Sequence, residues 1–220
     1  MISRISCARL GCQLAVVGLS IVLLSCTTAY YRTMEAFGVH KRDILVERVE
    51  EARDSQEEAG EQFRTVLERF RDVVDFEGGE LEAKYEQLSA EYERSDAKAQ
   101  QVSQRIASVE KVAGDLFKEW ESELDQYSDD RLRRSSERTL RQTREKYSDL
   151  IAAMRRAESK MPPVLSRLKD QVLFVKHNLN ARAIASLEGT AADLQGEVEA
   201  LLRELEKSIA EANAFIQDLL

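Results

Sequence analysis

The chain has 220 residues, of which 33% are charged and only 6% aromatic, with 9 Gly and 2 Pro. This composition favours long helices with narrow apolar stripes over a compact mixed fold. The net charge of -8 argues against general affinity for nucleic acid or for an anionic membrane surface, because both need clustered cationic charge.

The first 25 residues have the features of a targeting segment. Arg4 and Arg9 precede an apolar run, 14–24, that is too short to span a membrane and has the length of a signal-peptide core. It ends in Leu23-Leu24-Ser25-Cys26, which resembles the lipobox of bacterial lipoproteins. That resemblance implies cleavage before Cys26 and acylation of its sulfur, for example with palmitate. The alternative is an ordinary signal peptide, or a short membrane anchor, that carries a cysteine by chance.

Cleavage would leave a mature chain with a net charge of -10 and one cysteine, since Cys7 and Cys12 lie in the removed segment. With Cys26 acylated, no disulfide framework is possible. Thr27 stands where an Asp would signal retention in the inner membrane. By resemblance to that sorting rule, the mature chain is expected in the cell outer membrane, lipid-anchored on the periplasmic side, with residues 26–42 as a lipidated tether.

Four heptad patterns, with apolar residues at alternating spacings of four and three, predict four long helices. Asp43 is the expected N-cap of the first, and Gly78-Gly79 predicts a tight reversal after it. The second has the longest seam, from Leu81 to Trp120, with eleven of twelve positions apolar. The predicted helical domain, 43–220, comprises helices at about 43–76, 80–127, 130–188 with a kink or brief break at 162–163, and 190–220.

Short turns between these helices predict antiparallel neighbours. We therefore expect an all-α fold, an elongated antiparallel helical bundle or coiled coil. The helix lengths place four helices at the end near Gly78 and leave a two-helix tip at the other end. Seams of this kind bury equally well within one chain or between chains, so a homo-oligomer is left open.

Arginines are concentrated at the predicted tip. The segment 131–144 contains six arginines against one Glu. One interpretation is a solvated basic face that balances the acidic first and second helices. The other is a partner-binding site for phosphate or carboxylate groups of an unknown envelope protein or polymer. The candidate binding residues are Arg131, Arg133, Arg134, Arg138 and Arg141.

We predict no catalytic residues, no metal site and no cofactor. The chain has two His, and it lacks metal-ligand spacing, a nucleophile motif and a glycine-rich phosphate loop. A polar patch at Lys176, His177, Asn178 and Asn180 is expected to be a packed or interhelical hydrogen-bonding cluster. The sequence therefore favours a protein that is not an enzyme.

Four stretches resemble the bacterial lipoprotein family known as domain of unknown function 2959. They are residues 31–43, 176–187, Phe76-Glu77-Gly78-Gly79 and Leu132-Arg133-Arg134. The resemblance covers essentially all of the mature chain. It implies a helical, coiled-coil envelope protein, and it carries over no assigned activity or catalytic residue.

The expected function is that of a lipid-anchored, periplasm-facing coiled-coil lipoprotein of the bacterial cell envelope. It would act as a non-catalytic scaffold, spacer or partner-binding module, held to the membrane by its lipidated N-terminus and without a nucleic-acid partner. The alternative is a membrane-remodelling or envelope-stress coiled coil that self-assembles on the bilayer. That alternative rests on apolar positions outside the seams, such as Leu67, Val74, Ile151 and Ile209.

Overall fold

A computed structural model describes residues 40–76, 80–178, 184 and 187–220. The chain divides into two compact units, Met1–Ile44 and Leu45–Leu220, and the bundle described below belongs to the second. The described residues form helices and no strands, which confirms the predicted all-α class. The predicted signal peptide, Cys26 and the Gly78-Gly79 reversal lie outside the described residues. The helices are α1 (Lys41–Val74), α2 (Leu81–Leu124), α3 (Asp130–His177) and α4 (Glu188–Leu219).

The first helix begins before Asp43, at Lys41, so the predicted N-cap is wrong. The carboxylate of Asp43 accepts a hydrogen bond from the backbone N–H of His40 at 3.2 Å. An acidic side chain in the first turn that binds the N–H of the residue before the helix is half of a capping box. The sequence identified the right carboxylate and placed it at the wrong position of the cap.

Side-chain contacts join each helix of the second unit to the next one and α4 back to α1, always in antiparallel order. Such a ring is an up-and-down four-helix bundle, and it confirms the predicted antiparallel neighbours. The joining pairs are Glu51 with Arg105 and Glu58 with Lys98 (α1 and α2), Trp120 with Ser136 and Glu121 with Arg144 (α2 and α3), Lys146 with Asp218 and Arg167 with Glu197 (α3 and α4), and Gln56 with Ser208 and Arg53 with Asn213 (α1 and α4).

The core lies along the predicted seams. Phe63 and Phe70 of α1, Leu88 of α2, Leu168 of α3 and Leu201 of α4 are all completely buried. The heptad spacing places these side chains on the inner stripe of each helix, where they interdigitate. The apolar positions outside the seams are covered as well, since one is buried and three are half-buried: Leu67, Val74, Ile151 and Ile209.

Three polar residues interrupt the apolar seams, and all three are completely buried: Gln56, Ser95 and Ser208. The Ser208 hydroxyl donates to Gln56 Oε1 at 2.8 Å, which links α4 to α1. Ser95 donates to the carbonyl of Glu91 at 2.8 Å, within α2. Because separating the Gln56–Ser208 pair would leave buried polar atoms without partners, the pair disfavours other registers of α1 against α4.

Helix α3 continues without a break through Pro162 and Pro163, so the structure excludes the break from the predicted kink or brief break. Both prolines are exposed, whereas Met161 and Val164 on either side of them are buried. The ring of each proline therefore faces solvent, and the buried neighbours keep the helix packed on the core. A kink at this point stays a prediction.

The same helix ends at His177 and not at residue 188 as predicted. Asn178 stops it, because its side-chain amide donates to the carbonyl of Phe174 at 2.9 Å and its own backbone has left the helical region. Lys176 and His177 are exposed in the last turn, where a positive charge suits the helix dipole. These residues of the predicted polar patch therefore belong to a helix terminus, and Asn180 lies outside the described residues.

Three aromatic rings mark the level at which α4 ends. The ring centroids of Phe117 and Tyr147 are 5.4 Å apart in an edge-to-face arrangement, and that of Phe215 is 6.4 Å from Tyr147. Among the described residues of the second unit, α2 and α3 alone continue past this layer. We call the part beyond it, residues 118–146, the arm, and it corresponds to the predicted two-helix tip.

Tyr147 should make the bundle sensitive to alkaline pH. Burial, assisted by the negative charge of Glu110, raises the pKa of its phenol to about 12, against about 10 in an unfolded chain. Between these values the unfolded chain has lost a proton that the folded chain keeps, so stability falls as pH rises through this window. In the variant Tyr147→Phe the melting temperature should therefore depend less on pH between ~10 and ~12. Tyr127→Phe, at an exposed site, is the control, and identical pH profiles for both variants would contradict the assignment.

Candidate functional site

The arm begins at a turn, residues 125–129, and Asp129 fixes where α3 starts. Its carboxylate accepts hydrogen bonds from the backbone N–H groups of Arg131 at 2.7 Å and Leu132 at 3.4 Å. This is an N-cap, and Asp130 adds a second negative charge in the first turn, which suits the helix dipole. A fixed helix start also fixes the faces on which the following arginines lie.

The interior of the arm is thin and partly polar. The indole N–H of Trp120 donates to Ser136 Oγ at 2.8 Å, which ties α2 to α3. Leu140 is buried between the two helices. At the base of the arm the guanidinium of Arg144 lies 5.1 Å from the centre of the Phe117 ring and donates to Glu121 at 2.5 Å. That contact lowers the pKa of the Glu121 carboxyl.

Four of the five predicted binding arginines share one exposed face of α3. They follow spacings of three, four and three residues, which bring side chains to the same side of a helix. We call them the arginine face: Arg131, Arg134, Arg138 and Arg141. The last three have no ion pair or hydrogen bond to any residue in the part of the chain that the structure describes.

The remaining arginines of the segment have partners within the chain. Arg133, which the sequence also named as a candidate binding residue, lies outside the arginine face and 3.8 Å from both Asp130 and Glu137. Arg144 is held by Glu121 and Phe117. Arg131 belongs to the face, although its guanidinium also lies 3.7 Å from Asp129. The three unpaired arginines are thus the part of the cluster that is available to a ligand.

Two apolar side chains are exposed at the end of the arm. Tyr127, in the turn, is 42% exposed, and Leu132, in the first turn of α3, is 57% exposed. A surface groove of about 410 Å³ lies nearer the base, between Leu124 and Leu140, and Arg141 forms part of its wall. The end of the arm therefore combines two exposed apolar side chains with Asp125, Asp129 and Asp130, and the arginine face runs back from it.

A second groove, of about 500 Å³, runs between α2 and α3 beside Pro162. Because Pro162 has no N–H, the carbonyl of Glu158 lacks its usual donor within the helix. Asp96 and Lys169 lie on opposite walls of this groove. It offers hydrogen-bonding groups of both signs, without a row of unpaired arginines like that on α3 of the arm.

The structure does not include the predicted lipidation site, because Cys26 is outside the described residues. No helix in the described ranges is long and apolar enough to cross a membrane. Within those ranges no group of three or more His, Cys, Asp or Glu side chains is placed to hold a metal ion.

Comparison with known proteins gives one match. The model of a family described as a protein of unknown function, DUF2959, matches residues 30–219. The match covers both helices of the arm and the whole four-helix section. No curated protein and no solved structure matches the chain.

Proposed function

The chain belongs to the DUF2959 family, and we propose that it is a lipid-anchored, non-catalytic lipoprotein of the bacterial cell envelope. In this proposal Cys26 carries the lipid, the body faces the periplasm from the outer membrane, and the four-helix section serves as a scaffold. The arm is the surface through which the scaffold contacts its partner.

The observation that carries the proposal is the arginine face. Most arginines in the described four-helix section have carboxylate partners within the chain, for example Arg105 with Glu51 and Arg155 with Glu110. On the arm, Arg134, Arg138 and Arg141 stand side by side without one. Such guanidinium groups can bind carboxylate or phosphate in a bidentate manner without first breaking an internal ion pair.

The construction of the arm supports a binding role as well. Two helices alone bury little apolar surface, yet this pair is held by a side-chain cap at Asp129 and by the Trp120–Ser136 hydrogen bond. The arginines are thereby presented from a defined helix rather than from a loop. Less ordering entropy is then lost when a ligand binds.

The anchor is tested by intact mass and by labelling cells with an alkyne-bearing fatty acid. We expect the mature chain to begin at an acylated Cys26, with residues 1–25 absent. Cys26→Ala should abolish the label and leave the precursor uncleaved. If residues 23–26 form a lipobox, the signal peptide is cleaved only after the Cys26 thiol has been acylated. Cys12→Ala is the matched control, since it removes a cysteine from the segment that would be discarded. A fatty-acid label that persists in Cys26→Ala would refute the proposal.

A further inference from the structure

We propose that the arginine face binds a row of carboxylates on α1 of a second copy of the chain, so that copies associate head to tail. The inference rests on the proposed function, because it takes the arm as the contact surface of the scaffold. It goes further by naming the partner of that surface and the residues of the partner that receive it.

The receiving surface is a row of acidic residues on the outer side of α1. Its members follow spacings of three, four, three and four residues, so they share one side of the helix. We call them the acidic row: Glu47, Glu50, Asp54, Glu57 and Glu61. Four of the five are exposed, and Glu50 is half-buried. Glu50, Glu57 and Glu61 have no ion pair with any side chain in the part of the chain that the structure describes, so they are available to a cation from outside.

The spacing of the two surfaces matches. The arginine face has intervals of three, four and three residues from Arg131 to Arg141, and the acidic row has the same intervals from Glu47 to Glu57. Each of these stretches is about 15 Å long. Two helices that pack side by side can therefore bring four guanidinium groups opposite four carboxylates. Because the order of the intervals reads the same in both directions, the match holds for parallel and for antiparallel helices.

The position of the charges on the arm favours this contact more than their sum does. The arm is neutral as a whole, with eight acidic and eight basic residues in 118–146. Its α3 part holds seven of the basic residues and three of the acidic ones. An acidic helix therefore meets local positive charge on the arginine face, while the rest of the arm adds no net repulsion. Such local complementarity selects a partner whose carboxylates recur at matching intervals.

The two surfaces cannot meet within one copy. Glu51 of α1 pairs with Arg105 of α2 at 2.7 Å. Glu121, which pairs with Arg144, lies about 24 Å further along α2. The near end of the acidic row, Glu47, reaches only about 6 Å in that direction from Glu51. The arginine face lies beyond Arg144, at least about 18 Å away along the bundle, so the contact requires a second copy.

The contact joins two different surfaces, so it is heterologous. A copy whose arginine face has bound still has a free acidic row, and it can receive a third copy. Assembly therefore continues unless the copies close into a ring. Exposed ion pairs are individually weak. In the proposed function the anchor at Cys26 confines the copies to one bilayer, which raises their effective concentration.

The test is photo-crosslinking of the full acylated chain on phosphatidylcholine vesicles, with a photoreactive residue at Ser135, which is exposed beside the arginine face. These copies are mixed with heavy-isotope copies that lack the photoreactive residue, so that mass spectrometry separates contacts between copies from contacts within one. We expect adducts between copies that map to residues 47–61 of the heavy chain. High salt should abolish them, because it screens exposed ion pairs.

Charge reversal tests the pairing of the two surfaces. The arm variant is Arg134→Glu, Arg138→Glu, Arg141→Glu, and the row variant is Glu50→Arg, Glu57→Arg, Glu61→Arg. Each variant alone should lower the yield of these adducts at least about tenfold, because ion pairs are replaced by contacts between like charges. A mixture of the two variants should restore the yield, since the reversed arm of one then meets the reversed row of the other.

The matched control is Arg71→Glu, Arg156→Glu, Arg203→Glu. It changes the net charge as much as the arm variant does, at three exposed arginines outside both surfaces. Its adduct yield should stay near that of the wild type, because general repulsion between copies does not decide the contact.

Equal loss in the arm variant and the control, or a mixture that does not restore the adducts, would overturn the inference. In cells, adducts of position 135 with another envelope protein and never with a second copy would refute the inference and leave the proposed function intact. An arm that forms no adduct with any protein would refute both.

Discussion

Phe63→Ala is expected to lower the free energy of unfolding by about 3 to 5 kcal/mol. The ring is completely buried in the α1 seam. Its removal loses the transfer free energy of a large apolar side chain and leaves a cavity that four closely packed helices fill only in part. Urea denaturation followed by circular dichroism at 222 nm measures the change.

Glu57→Ala is the control, since it lies on the same helix at an exposed position and should change stability by less than about 0.5 kcal/mol. A cost for Phe63→Ala near that of the control would mean that α1 does not close the bundle. The slope of the denaturation curve should stay unchanged, because both variants expose the same surface when they unfold.

Replacement of Pro162 and Pro163 by alanine should raise the free energy of unfolding by about 3 kcal/mol for the pair. Alanine restores two backbone N–H groups, which can then donate to the carbonyls of Glu158 and Ser159, and it removes the ring clash with those carbonyls. Both prolines are exposed, so the substitution costs no core packing. Thermal unfolding measures the effect.

Ser166→Ala, one turn further along the exposed side of α3, is the comparison for the proline variants. This substitution raises helix propensity and adds no backbone hydrogen bond, so it should raise the free energy of unfolding by only a few tenths of a kcal/mol. If the proline variant gained no more than this, the two carbonyls would already have partners or α3 would already be relaxed around them.

The fold was predictable because apolar periodicity determines it. The spacing of residues such as Leu88 and Leu201 identifies the buried stripe of each helix, and short turns leave antiparallel packing as the simple arrangement. The same pattern contained the exceptions Gln56, Ser95 and Ser208. The hydrogen bond between Gln56 and Ser208 could not be predicted from the sequence, because a single seam does not say which residue of another helix lies opposite.

The errors have local physical causes. Asn178 was assigned to the interior of a long helix, and its amide instead caps the carbonyl of Phe174. Asp43 was assigned as an N-cap because its residue type suits that position, whereas it serves from the first turn. Side chains that bond to nearby backbone decide helix ends, and heptad periodicity carries no information about such bonds.

The candidate site was predicted in composition and only partly in geometry. The sequence supplied the arginines, but it did not separate Arg133, which has internal partners, from the unpaired residues that follow it. Phe117, which packs on Tyr147, was missed because it lies one position after the seam residue Leu116. Phe117 lies four residues after the buried Ala113, so a spacing of four at this point of the seam would have identified it.

The decisive measurement is photo-crosslinking in cells, with a photoreactive residue placed at Ser135 in the arm or at Glu80 just before α2. Both positions are exposed, and neither substitution removes an arginine. We expect adducts with an envelope partner, identified by mass spectrometry, from position 135 and none from position 80. Adducts from position 80 alone, or equal yields from the two positions, would contradict the assignment of the arm as the contact surface.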